Sequence, residues 1–216
     1  MKTVAADQLT ITWQAASLLL DYPDQELARH LDVIRAALPA LPRVLAEPLA
    51  DTVAQLASGN LSDLQTQYVD TFDNRRRHTL YLTYFAHGDT RRRGVALLRF
   101  KQTYLRSGFV LDESELPDHL CVVLEYAATV DQHLGRRLLI DHRAGLELLR
   151  LALADAESPW HGAVQAVTAT LPPLAGDERQ AIARLAAEGP PQEEVGLTPY
   201  ATPTSLPMPT FPGGPR

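Results

Sequence analysis

The chain has 216 residues, 45% of them hydrophobic and 21% charged, with a formal net charge of −6 and a pI near 5.6. That is the composition of one soluble globular domain with room for a substantial core. The acidic balance argues against nucleic acid as a partner.

The N-terminal residues Met1 to Thr10 show no charged segment followed by an apolar run and a cleavage site, so no secretory leader is expected. No stretch reaches the roughly 18 apolar residues of a membrane span. We expect a cytoplasmic protein with no membrane insertion.

In chain order, Ile11 to Leu20 reads as a helix, ended by Asp21-Tyr22-Pro23-Asp24. Asp24 is placed to cap the next helix, in which Leu27, Leu31, Ile34 and Leu38 keep helical spacing. Leu41 to Ala57 is a third helix, which Pro48 is expected to kink or split. After Ser58-Gly59-Asn60 a fourth helix carries Leu61, Leu64, Tyr68 and Phe72.

Asp73 to His78, with Arg75-Arg76-Arg77, reads as a solvated connector. Leu80 to Phe85 fits a short helix or a strand, and helix is preferred because no strand partner is evident. Asp89 or Thr90 caps a helix to Ser107, stopped by Gly108. A single helix is expected over His133 to Asp155, another after Ser158-Pro159, and a last one over Asp177 to Ala187. No period-two segment and no fixed repeat is found. The expected architecture is an all-α bundle over residues 1–188. Residues 189–216 hold eight prolines and four glycines in 28 positions, the composition of a disordered tail.

The bundle is organised around Glu115-Leu116-Pro117-Asp118-His119-Leu120, continuing to Ala128. Pro117 suits the first position of a helix, and Asp118 its first turn, where the exposed N–H groups favour a carboxylate. Leu120, Val123, Leu124 and Ala127 recur at i, i+3, i+4 and i+7 and form one apolar face. Asp118 pairs with Glu125, and His119 with Tyr126, on neighbouring stripes seven residues apart. The one cysteine, Cys121, excludes an intramolecular disulfide and reads as a small buried hydrophobe on this helix.

Catalytic signatures are missing. There is no Gly-rich phosphate loop, paired-cysteine metal motif or Gly-x-Ser-x-Gly, and no two of the seven histidines are spaced to share a metal on one helix. Asp118 and His119 diverge by about 100° on a helix and make a poor acid–base dyad. A small hydrolase built on these two residues is therefore the weaker reading.

The motifs carry a resemblance. Glu115-Leu-Pro-Asp-His-Leu120 with Leu124-Glu-Tyr126 resembles the signature of the respiratory nitrate reductase assembly chaperones (NarJ-type), within the redox-enzyme maturation proteins. Tyr68-Val-Asp-Thr-Phe-Asp73 and His87-Gly-Asp-Thr-Arg-Arg-Arg-Gly94 resemble a second block of that family. Tyr84 and Phe85 stand where the family carries a Glu-His pair, and Arg92 replaces an Asp.

The resemblance implies an all-helical, non-enzymatic chaperone with no metal or cofactor of its own. Its partner would be the nitrate reductase catalytic subunit, bound as the N-terminal peptide and as the apoenzyme and held until the molybdenum cofactor is inserted. A different molybdoenzyme with a twin-arginine leader is the alternative client. Tyr68, Phe72, Arg91, Arg93, Leu116, Pro117, Asp118, His119, Glu125 and Tyr126 are the expected lining of a groove for an amphipathic client helix.

Overall fold

The computed structural model describes residues 4–112, 115–174 and 176–188. The expected proline-rich tail, residues 189–216, lies outside the described residues. Among the described residues the regular structure is helical: α1 (Ala6–Leu20), α2 (Leu27–Ala37), α3 (Arg43–Ser58), α4 (Leu61–Tyr68), α5 (Tyr84–His87), α6 (Arg91–Arg106), α7 (Leu120–Thr129), α8 (Gln132–Asp141), α9 (Arg143–Asp155), α10 (His161–Ala169) and α11 (Gly176–Glu188). The all-α expectation holds.

The core is built where α1 crosses α7 and α10. Trp13, Trp160, Leu120, Val123, Leu124, Ala127, Val164 and Val167 are fully buried there. Two buried polar atoms are satisfied across the same layer: Trp13 Nε1 donates to Thr170 Oγ1 at 3.0 Å, and Ser17 Oγ donates to the Cys121 carbonyl at 3.0 Å. Helices α3 and α10 approach closely at Gly162, where a Cβ would stand 2.1 Å from the Pro48 carbonyl oxygen. A side chain there would force the two helices apart.

Several expectations need correction. Helix α7 begins at Leu120 with His119 as its N-cap, so Pro117 and Asp118 lie in a turn before it and not in its first turn. Pro48 sits inside an unbroken α3. Asp24 does not cap α2, whose N-cap is Glu26; its Oδ1 accepts the Glu26 N–H at 2.8 Å and shapes the preceding turn.

The segment expected as one helix to Phe72 leaves α geometry after Tyr68 and widens into a π turn over Val69–Asp73. The Thr71 carbonyl of that turn is bonded by His78 Nδ1 at 3.1 Å. The long helix expected over 133–155 is two, broken at His142, whose ring Nδ1 turns back onto the Leu138 carbonyl at 2.9 Å.

The stretch Leu80 to Phe85 is the most consequential correction. Only Tyr84 to His87 is helical, and Tyr81 forms an antiparallel bridge with His119. Its strand partner is thus the turn before α7. Gly88 then turns the chain towards α6 at φ 56° and ψ −154°, a conformation that other residues essentially do not adopt. At the far end, Gly108 stops α6 at φ 72° as expected.

Candidate functional site

The turn before α7 is held from three sides. The Leu82 N–H donates to the Asp118 carbonyl at 3.0 Å, and the Leu120 N–H donates to the Leu80 carbonyl at 2.8 Å. Tyr104, from α6, donates its hydroxyl to the Pro117 carbonyl at 2.6 Å. At the centre, the Asp118 side chain is fully buried.

Its Oδ2 accepts both the Thr83 N–H at 3.1 Å and the Thr83 hydroxyl at 2.5 Å. Arg93 completes the cluster. Its Nε donates to Thr83 Oγ1 at 3.2 Å, its Nη2 stands 3.7 Å from Asp118 Oδ2, and its guanidinium lies 5.3 Å from the Tyr81 ring centroid. A cation in the first turn of a helix is opposed by the helix dipole. Here the buried carboxylate below it and Asp89, 3.5 Å away, offset that cost.

Above this clamp lies an acidic rim with apolar edges. His119 is half-buried and its ring packs 5.2 Å from Tyr81. Burial holds its imidazole below the usual histidine range, against the opposing pull of Glu115, Asp21 and Asp118. Burial likewise pushes the Cys121 thiol well up, and Asp21, Glu115 and Glu125 add to the push. Those three carboxylates are exposed and lie within electrostatic reach of Cys121 in the first turn of α7. Tyr22 and Leu116 are exposed at 48% and 41% beside them.

Tyr68 and Phe72 stand beneath this rim as core aromatics. Their rings pack on each other at a centroid distance of 4.7 Å and with Tyr22 and Trp160 at 5.3 to 5.5 Å, and the Tyr68 hydroxyl donates to the Leu20 carbonyl. Burial, with Cys121 and Asp21 nearby, holds the Tyr68 phenol far above its ordinary range.

The sequence comparisons fit these blocks. The family model described as "Nitrate reductase delta subunit" matches residues 24–166, which include both motif blocks and every residue of the clamp. The chain belongs to the nitrate reductase delta subunit family.

Among curated relatives, the "Probable nitrate reductase molybdenum cofactor assembly chaperone NarJ" of Bacillus subtilis is 34% identical over 162 residues, which is 74% of this chain and 88% of the relative. The Escherichia coli chaperone NarJ is 36% identical over 147 residues, 67% of this chain and 62% of its own. The "Nitrate reductase-like protein NarX" of Mycobacterium tuberculosis is 43% identical over 166 residues, 77% of this chain. This chain spans only 25% of that longer relative. The crystal structure described as that of "A Putative Redox Enzyme Maturation Protein" from Archaeoglobus fulgidus shares the fold with a TM-score of 0.54 at 22% identity, over 78% of this chain and 94% of its own.

Within this family member, the structure brings Arg93, Leu116, Pro117, Asp118 and His119 into one place. Glu125 is exposed on α7, and Arg91 is exposed at the start of α6. Tyr126 is elsewhere: it is fully buried, packs on Tyr104 and Phe109, and hydrogen-bonds Ser107 at 2.8 Å.

Sequence reasoning missed Thr83, Tyr81 and Tyr104. Thr83 had a visible signal, being the one non-aromatic polar residue in the apolar run Leu80 to Phe85. A buried hydroxyl in such a run requires a polar partner. The acid–base dyad is not assembled. Asp118 Oδ2 is engaged by Thr83 and Arg93, and no hydrogen bond joins it to His119 among the described residues.

Two outcomes follow from this geometry. Asp118→Ala leaves the Thr83 hydroxyl and the Arg93 guanidinium without their buried acceptor and should destabilise the fold by about 1–3 kcal/mol, measured by urea unfolding. A change within error would show that the clamp does not contribute to stability.

The second concerns pH. His78, His119, His142 and His161 are all held below the ordinary histidine value of 6.5 by burial. The unfolded chain therefore binds more protons than the native one as pH falls through the unfolded value. Stability should be full above about pH 7 and decline progressively below 6.5, with a shallower decline in His119→Gln. Stability that rises on acidification from pH 7 to 5.5 would contradict the assignment.

Proposed function

We propose that this chain is an assembly chaperone for a nitrate reductase. It acts in the cytoplasm, recognises the N-terminal segment of the catalytic subunit, and holds the apoenzyme until the molybdenum cofactor is inserted. The observation that carries the reading is its similarity to a NarJ relative covered over 88% of that relative's length. The chemistry proposed is recognition and timing by differential binding to the unassembled client.

The acidic rim is the proposed contact surface. Tyr22 and Leu116 supply apolar anchors, and Asp21, Glu115 and Glu125 favour a basic residue on the client helix. The half-buried His119 borders it, and Arg91 is exposed at the start of α6. Tyr68, Phe72, Pro117, Asp118 and Arg93 act from behind the surface, keeping its anchors in place, and Tyr126 reaches it only through its packing on Tyr104. A different molybdoenzyme remains the second reading, supported by the fold shared with the redox enzyme maturation protein.

Calorimetry with a synthetic peptide of the catalytic subunit's N-terminus tests the proposal. Micromolar or tighter binding is expected, weakening as salt rises and falling about tenfold in Glu115→Lys/Glu125→Lys, as lost charge complementarity requires. Unchanged affinity in that variant would place the client elsewhere. No binding to the peptide, by a folded protein that still supports maturation, would overturn the peptide-recognition step.

A further inference from the structure

Helix α6 carries a charge at odds with the rest of the molecule. Its sixteen residues, Arg91 to Arg106, hold five arginines, one lysine and no acidic residue, in a chain of net charge −6. Its inner stripe, Ala96, Phe100 and Tyr104, is buried against the body. The outer face is open, and it is not uniformly polar. Val95, Leu98 and Leu105 are 56%, 57% and 61% exposed.

These apolar positions have a register. Val95, Leu98, Gln102 and Leu105 fall at i, i+3, i+7 and i+10, the a/d spacing of a coiled-coil seam. Arg92, Arg99 and Arg106 recur every seven residues along one edge of that seam, all exposed, and Lys101 lies on the other edge. These are the e and g positions, whose charges set partner choice.

Among the described residues none of the three edge arginines makes an ion pair. Arg92 also stands in the first turn, where the helix dipole is already unfavourable to a cation.

We propose that the outer face of α6 docks an amphipathic helix of another protein, one whose apolar stripe is edged with aspartate or glutamate. Charge complementarity selects this occupant. A second copy of α6 would bring arginine edges against basic edges, which the e/g rule disfavours in either orientation. An anionic membrane would take a wider apolar face led by aromatics. Here the seam spans about 80° of the helix, at 100° per residue, contains Gln102, and the aromatics Phe100 and Tyr104 point inward.

The surface is distinct from the acidic rim and selects the opposite charge. Chaperone and partner could thus engage without displacing a basic client segment.

The test uses the full chain and two designed helices of about three heptads, with leucine and isoleucine at a and d. One carries glutamate at e and g, the other lysine. By fluorescence anisotropy the glutamate helix should bind at least about tenfold more tightly than its lysine twin, with affinity falling as salt rises. R92E/R99E/R106E should reverse the preference, and L98D/L105D should abolish binding of both; unchanged thermal unfolding checks that each variant is folded.

If the triple variant unfolds, R99E alone should still weaken the glutamate helix. Equal binding of the twins, or binding of neither, overturns the proposal. Binding to phosphatidylglycerol vesicles with no binding to the glutamate helix assigns the face to a membrane and also overturns it.

Discussion

A carboxylate with no exposed surface governs the arrangement of this molecule. Removing an ionised group from water costs several kcal/mol unless it is paired and hydrogen-bonded. Asp118 answers that cost through Oδ2 alone, which needs both the N–H and the hydroxyl of Thr83 and the Arg93 guanidinium 3.7 Å away, while Oδ1 is buried without a hydrogen-bond partner among the described residues. Bringing Thr83 there fixes the extended residues 80–82 beside the turn at 117–120. Bringing Arg93 there fixes the start of α6. Three segments distant in sequence are therefore set by one buried charge, and α7 starts where that turn releases it.

What sits outside the clamp follows from what is used inside it. Arg93 is drawn inward, while its neighbours along α6 remain outside and form a basic edge. Near the turn, the exposed Asp21 and Glu115 act on both the buried Cys121 thiol and the half-buried His119 imidazole, and Glu125 acts on the thiol. Two surfaces of opposite sign thus share one internal support.

Much of this was legible in the sequence. The helices follow from apolar spacing, and the stop at Gly108 from its left-handed backbone. The importance of Glu115 to Tyr126 was visible from its residues, but the reason for it was not. Asp118 beside Pro117 has the form of a helix start, and local rules cannot tell that from a turn whose carboxylate is claimed by a residue 35 positions earlier.

The same long-range pairing hid the extended character of Leu80 to Leu82, since its partner is a two-residue bridge and not a strand. His142 breaking the 133–155 helix, and the π turn after Tyr68, likewise depend on contacts that periodicity does not encode. Tyr126 looked like a surface partner of His119 because both lie seven apart on one helical track. That track ends when His119 becomes the N-cap and not a helical residue.

Native-state hydrogen exchange on Asp118→Asn, read at individual amides, tests the central claim most directly. Protection of the Leu82 and Leu120 N–H groups, and of those at the start of α6, should be selectively lost while the α1, α7 and α10 core keeps its protection. Unchanged protection at Leu82 and Leu120 in the folded variant would show that the buried carboxylate does not hold these segments together.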